Sequence, residues 1–295
     1  MPSTFFTEAP QWRWLIILYF FIGGLAGGCY FLAALIDLFG RPTDRPLARL
    51  GYRIAFPAVV VCGILLIADL GRPARFWHML VQSETWRPMF KSYSPMSFGA
   101  WGLLVFGLFA FLSFLATLRP EGRRDGLARL RPPGVLGSLV AVLGGVAAFF
   151  LASYTGVLLA VTNRPIWSDT SLLGLVFLVS SASTSIALLL LLGSRRVFLM
   201  GGLRALQRFD IAILVVELLS LIALVASLGS LARVWLNQWG ALLALGVVGL
   251  GIVVPLLLQA RAHTPTALSA RAAALLVLAG GFLLRVVVVL SSEAI

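Results

Sequence analysis

The sequence predicts an all-α integral membrane protein of about eight transmembrane helices, and three observations lead there. Hydrophobic residues fill 60% of the 295 positions, charged residues only 12%, and the mean hydropathy is +1.00, whereas an ordinary soluble domain carries about a quarter charged residues. The apolar residues fall in continuous runs long enough to cross about 30 Å of hydrocarbon as helix. They lack the period-two alternation of a membrane barrel, and backbone amides that must pair inside lipid leave helix as the remaining solution. The net charge of +12 comes from 22 arginines and the single lysine Lys91, placed mainly in short connectors. That distribution orients a membrane protein rather than binding nucleic acid.

Runs bounded by charge, Pro and Gly place the spans near 12–39, 51–70, 96–118, 135–162, 168–192, 208–232, 239–259 and 271–291. The first carries Gly23, Gly24, Gly27 and Gly28, the fourth Gly144 and Gly145, and the fifth the run SSASTS from Ser180 to Ser185. Small residues at such spacing let helix backbones approach closely. Pro57 in the second span and Pro255 in the seventh are expected to bend their helices. Cys29 and Cys62 lie inside apolar runs and read as small buried hydrophobes.

Eight spans put both termini on one side. Four alternate connections hold Arg41, Arg45, Arg49 and Arg53; Arg119, Arg123, Arg124, Arg129 and Arg131; Arg195, Arg196, Arg204 and Arg208; and Arg261 and Arg271. This arginine bias predicts that those connections face the cytoplasm and that both termini lie outside the cytoplasm. Of the remaining connections, 71–95, 163–167 and 233–238, only the first is long enough to build a docking surface. Its Trp77, Trp86, Phe76 and Tyr93 alternate with basic residues, as at an interface with headgroups or another subunit.

Ionisable groups at membrane depth are costly and mark functional candidates. Asp69 ends the second span beside Arg72 and Arg75, with which it could pair. Glu217 lies about 12 Å inside the sixth span by helical rise, and Arg285 lies inside the eighth, placed to snorkel or to meet a carboxylate. Asp37, near the inner surface, is expected to be solvated. Tyr19, Trp101 and Tyr154 fall at a similar outer level, roughly 8 to 12 Å down. Hydroxyl donors beside flat apolar walls near Asp69 are what a quinone ring requires. His78 and His263 fall on opposite sides of the membrane, so a bis-histidine haem within this chain is excluded, and two cysteines cannot hold an iron–sulfur cluster alone. No metal-ligand cluster is expected.

The strings YFFIGGLAGGCYF (19–31), DLGRPARFWHML (69–80), SYSPMSFGAW (92–101), SYTGVLL with RPIW (153–167) and GGFLLRVVVV (280–289) together resemble the NrfD/PsrC family of membrane anchors, through most of the chain. The resemblance implies a single polytopic domain over 1–295, with one four-helix bundle at about 12–162 and another at about 168–291. It implies a menaquinone or ubiquinone site toward the outer face, in a bacterial cytoplasmic membrane. It also implies a ferredoxin-like partner subunit with [4Fe–4S] clusters docking on loop 71–95, and often a molybdopterin catalytic subunit beyond it. Tyr19 stands where some members have histidine, and Asp69 and Tyr154 match the family's acidic and tyrosine positions. With Gly23, Arg72, Trp77 and Trp101 they form the expected quinone site, while Glu217 and Arg285 are the expected proton route. Two other functions fit the composition: a secondary transporter, whose broken helices and repeats are not evident, and a purely structural anchor with no quinone pocket.

Overall fold

The computed structural model describes residues 12–118, 126–194, 200–261 and 267–292. Arg119, Arg123, Arg124, Arg195, Arg196 and His263 lie outside the described residues, as do the side chains of Arg204 and Arg261. Eight helical segments are long and apolar enough to cross a membrane. The first six elements of this kind are α1 (Trp14–Phe39), α2 (Arg45–Asp69), α3 (Pro95–Thr117), α4 (Val135–Ala160), α5 (Leu173–Gly193) and α6 (Met200–Leu228). The seventh span is composite: a short α7 (Gln238–Ala241), a π-helix (Leu242–Val253) and α8 (Val254–Arg261). The eighth is α9 (Ala267–Ser291). Among the described residues there is no strand, only the isolated bridge Val81–Pro88.

Three expected helix starts moved furthest: α6 begins at Met200 rather than 208, and the other two moved for local reasons. The second helix starts at Arg45 rather than 51 because Pro46 suits a first helical turn, and Arg49 on that extension and Arg53 one turn on both donate to the Thr117 carbonyl at 2.8 Å, covering the end of α3. The fifth starts at Leu173 rather than 168 because side chains compete for the preceding backbone. The Asp169 carboxylate accepts from the Ile166 amide at 3.0 Å, and the Thr170 hydroxyl takes the Leu172 amide at 3.2 Å. Pro57 sits inside α2, and Pro255 follows the π-helix, where its missing N–H removes one bond of the helical ladder.

Helix α1 is central. Its most apolar stretch is 67% buried, against 33% for α2 and 22% for α3. One core joins α1, α2, α3 and α4 around Tyr30, Tyr52, Phe106 and Leu151. A larger one joins α5, α6, the seventh span and α9 around Phe177, Leu214, Val247 and Leu284, and takes in Ile17 and Phe20 of α1. The expected small-residue contacts are made. A Cβ on Gly28 would strike Ser185 Oγ and the Ser181 carbonyl, and one on Gly27 would come within 2.7 Å of the Ala148 carbonyl. Gly251 and Gly280 likewise bring the seventh span and α9 together backbone to backbone.

Asp37 corrects the expectation of solvation: it is buried and held bidentately by Arg131 at 2.5 and 2.7 Å, with the same guanidinium donating to the Arg45 carbonyl at 2.7 Å. The carboxylate lies beneath the helix ends instead of beyond them, and the fork of an arginine satisfies both its oxygens. On the opposite face, the Trp167 indole donates to the Val288 carbonyl at 2.7 Å, and Trp235 to the Ser291 hydroxyl at 3.1 Å. These bonds tie the 161–172 and 229–237 connections to the end of α9.

Candidate functional site

A cavity of about 580 Å³ opens among α1, α2, α3 and α4 at the end nearest the 70–94 connection. Its walls are almost wholly apolar. Tyr19, Asp69, Tyr154 and the Trp12 indole supply its polar side-chain atoms. The three residues at the centre of the sequence-derived site thus meet in one space, although they come from three different helices. Each is placed for a local reason. Tyr19 lies on the buried face of α1 and is 3% exposed, its ring beside Gly23, where a Cβ would sit 3.7 Å from it and 3.6 Å from Cys62 Sγ. Tyr154 on α4 lies across Gly99 of α3, a position where any Cβ would collide with the ring. Asp69 closes α2 and stands at the mouth, exposed.

The two hydroxyls differ in what they can still do. Tyr154 donates to the Pro95 carbonyl at 2.6 Å, so its proton is already engaged and its oxygen lone pairs remain. Tyr19 has no hydrogen-bond partner for its hydroxyl among the described residues. An apolar slot holding one free hydroxyl donor, one acceptor-ready hydroxyl and a carboxylate at its entrance suits a flat ring bearing oxygen substituents.

The other expected site residues stand outside the wall. Trp101 turns away from the space and donates its indole N–H to the Met89 carbonyl at 2.9 Å, fastening α3 to the loop. Gly23 is behind the Tyr19 ring. Arg72 is exposed on the loop, and Asp69 pairs with neither Arg72 nor Arg75 among the described residues. Trp77 belongs to a surface stack, 3.8 Å from the His78 ring and 5.7 Å from that of Trp86. Those of Trp101, Arg72 and Trp77 share a cause: the 70–94 connection is a folded cap rather than a strand of loop. A 3-10 helix, Pro73–Met79, leads into two antiparallel arms closed by the Gln82 amide on the Arg87 carbonyl at 2.9 Å and the Met89 amide on the Leu80 carbonyl at 2.8 Å. Phe76, Met79 and Leu80 line the cavity, while Trp86, at φ 53° and 75% exposed, faces away from the protein.

A second polar cluster lies on the other side of α1. Arg285 is wholly buried, and among the described residues it neither snorkels nor forms an ion pair. Its Nη1 donates to Ser180 Oγ at 2.6 Å and the Gly281 carbonyl at 2.7 Å, and its Nη2 to Ser181 Oγ at 3.1 Å. Phe177 and Phe21 flank the guanidinium at 5.2 and 5.9 Å. Serine hydroxyls and helix carbonyls thus take up both terminal nitrogens in place of a carboxylate, while Nε has no partner among the described residues. Glu217 is buried one serine away and accepts from Ser183 Oγ at 2.5 Å. Sequence reasoning missed a third member, Asp210. Placing the sixth span at 208–232 set it at the helix edge, but α6 begins at Met200 and Asp210 is 1% exposed. It accepts from Gln259 Nε2 at 2.7 Å, with its other oxygen unpartnered among the described residues. The signal was its spacing: Asp210 and Glu217 are two turns apart on one helix face.

What fold and site define is a multi-pass α-helical membrane protein built round an apolar cavity with a polar mouth. The family described as Polysulphide reductase, NrfD matches residues 3–295, and this chain belongs to that family. It is 28% identical over 274 aligned residues to a polysulfide reductase chain of Wolinella succinogenes, covering 84% of this chain and 82% of that protein. It is 26% identical over 292 residues to protein NrfD of Escherichia coli, covering 87% and 86%. A shorter stretch of 84 residues is 27% identical to a selenate reductase subunit of Mesobacillus selenatarsenatis, covering 28% and 20%.

Proposed function

We propose that this chain is the quinone-binding membrane subunit of an oxidoreductase complex, exchanging electrons between the membrane quinone pool and an iron–sulfur subunit docked over the 70–94 cap. The observation that carries this reading is the cavity in which Tyr19, Tyr154 and Asp69 converge beneath that cap. Bound there, a menaquinone or ubiquinone would supply the two-electron, two-proton redox chemistry that no side chain of this protein provides. Tyr19 donates to a carbonyl oxygen of the ring, Tyr154 offers an acceptor on the facing wall, and Asp69 exchanges protons at the mouth. Leu66, Ile67 and Met96 exclude water from the ring face. Supporting a partner over the cap, Phe76, Met79 and Leu80 line the cavity, while exposed Trp86, Arg72, Arg75, Arg87 and Lys91 form an aromatic and basic outer surface. In this reading the cap lies on the extracytoplasmic side, as the arginine bias demands.

The cluster of Asp210, Glu217 and Arg285 supports a proton route from the opposite face toward this site. Asp210 and Glu217 are about 10 Å apart by helical rise. Ser183 and Ser180 continue the polar contacts from Glu217 to Arg285, whose Nη2 would lie 3.3 Å from a Cβ on Gly24 of α1.

The test is a spectroscopic one on the complex purified through a tag on this chain. Adding a quinol analogue should reduce, or a quinone analogue oxidise, the clusters of the co-purified subunit, and Asp69→Asn should slow that exchange with the complex intact. Clusters that never respond to either analogue in the wild-type complex would remove the reading.

A further inference from the structure

The cavity is far longer than a ring needs. Its wall follows α2 from Asp69 down to Phe56 and α3 from Met96 to Leu108, which on α2 is about 20 Å of helical rise. All its polar side chains lie at the cap end. The deeper part, bounded by Phe56, Val60, Gly63, Leu104, Gly107 and Leu108, holds none. Val60, Leu104 and Leu108, which line it, are 43%, 49% and 56% exposed, so this deeper part is not closed over between α2 and α3. Two glycines sit at that opening. A Cβ built on Gly63 or on Gly107 meets no atom within 4 Å, unlike those at Gly99 and Gly102, where Tyr154 and Phe150 fill the space. Neither glycine is required by close helix packing or by a positive φ. Both keep the slot open.

Resting on the quinone reading of the cap end, we infer that the α2–α3 slot is the tail port of the site. It accepts the polyisoprenoid chain of a long-tailed lipid quinone, with Gly63 and Gly107 setting its width. The occupant is deduced from the two ends of one continuous space: hydroxyl and carboxylate groups at the ring end, and an uninterrupted apolar slot reaching lipid at the other. A phospholipid is a poorer match because a phosphate seeks cations, and among the described residues no Lys or Arg lines the cavity. The slot gives the tail little binding energy, since lipid is as apolar as the slot. Its role is steric, letting the ring enter edge-on while the tail stays in the bilayer.

Gly63→Phe and Gly107→Leu, made separately in the full complex, test this. Both sites are helix interiors, where replacing glycine does not strain the backbone. Two quantities are read: the long-chain quinone retained per mole of purified complex, by chromatography of the extracted lipid, and the Kd of a tail-less benzoquinone or naphthoquinone, by quenching of intrinsic tryptophan fluorescence. Retained long-chain quinone should fall by about tenfold or more, at least the cost of a misplaced methylene in an apolar pocket. The tail-less Kd should stay at the wild-type value. Wild-type quinone content in both variants overturns the port while leaving the ring site standing. Loss of tail-less binding in step with the long-chain form in both variants also overturns it, because ring and tail regions would then be inseparable. Loss of a co-purified phospholipid with quinone content unchanged assigns the slot to that lipid instead. A wild-type complex that neither retains quinone nor binds the tail-less analogue fails at the earlier step, the ring site itself.

Discussion

The two tyrosines of the cavity make separable predictions, because one hydroxyl is free and the other is engaged. Replacing Tyr19 by Phe removes a donor that bonds nothing among the described residues, so the fold should lose nothing and a bound quinone should lose one hydrogen bond. A net hydrogen bond is worth about 0.5–1.5 kcal/mol, which corresponds to an affinity about two- to tenfold weaker. Replacing Tyr154 by Phe instead breaks the 2.6 Å bond to the Pro95 carbonyl at the start of α3, costing about 1 kcal/mol of stability. The ring still packs across Gly99 and still walls the cavity, so affinity should fall less than in Y19F. The assay is a titration of the purified complex with a tail-less quinone, alongside thermal unfolding in the same detergent. The expected pattern is weaker binding with an unchanged Tm in Y19F, and a lowered Tm with nearly native binding in Y154F. The reverse pattern would refute the assignment of Tyr19 as the ring donor.

Two further substitutions probe the rest of the protein. Arg131→Ala should lower stability by about 3–5 kcal/mol, because it strips the guanidinium from a buried carboxylate. Thermal unfolding of that variant against Asp37→Leu/Arg131→Met, which removes both charges and should recover most of the loss, checks it. Glu217→Gln should leave tail-less quinone binding at the wild-type level while slowing turnover-linked proton uptake in proteoliposomes, on the order of a hundredfold for loss of a positioned proton carrier. Unchanged uptake and stoichiometry would take Glu217 out of the route.

What could be read in the sequence followed from two strong rules, and what could not followed from packing. Apolar run length found all eight spans, since lipid allows few other structures, and the SSASTS run and the α1 glycines announced a close helix contact that the fold makes at Gly28 and Ser185. Depth counted along helices brought Tyr19, Tyr154 and Trp101 to one outer level near Asp69, and Tyr19, Tyr154 and Asp69 share a cavity. Depth does not report azimuth, however, and that is where Trp101 was misplaced: it lies at the same level but points at the Met89 carbonyl. Arg285 and Asp37 exchanged their expected environments for a related reason. Burial and pairing depend on which neighbouring helix faces the side chain, and a serine run or a distant arginine in the sequence does not declare that. Asp210 was hidden by a boundary placed eight residues late.

The position of α1 explains how one protein holds a ring site and a polar cluster without either disturbing the other. Tyr19 faces the cavity and Gly23 faces Cys62 of α2, whereas Gly24 and Gly28 face Ser181, Ser185 and Arg285. Successive residues of a helix turn by about 100°, so the adjacent pair Gly23 and Gly24 presents its two faces to the two sites. Because neither carries a side chain, the Tyr19 ring approaches the α1 backbone at Gly23 and the Arg285 guanidinium approaches it at Gly24. In a low-dielectric interior, charge is felt across such a wall. If a quinone occupies the cavity as proposed, a change in the charge of the Glu217 and Arg285 cluster would bear on its ring beside Tyr19. Coupling of that kind requires no prosthetic group in this protein, only a wall thin enough for the field to cross and tight enough, at Gly27 and Gly28, to keep the two halves packed.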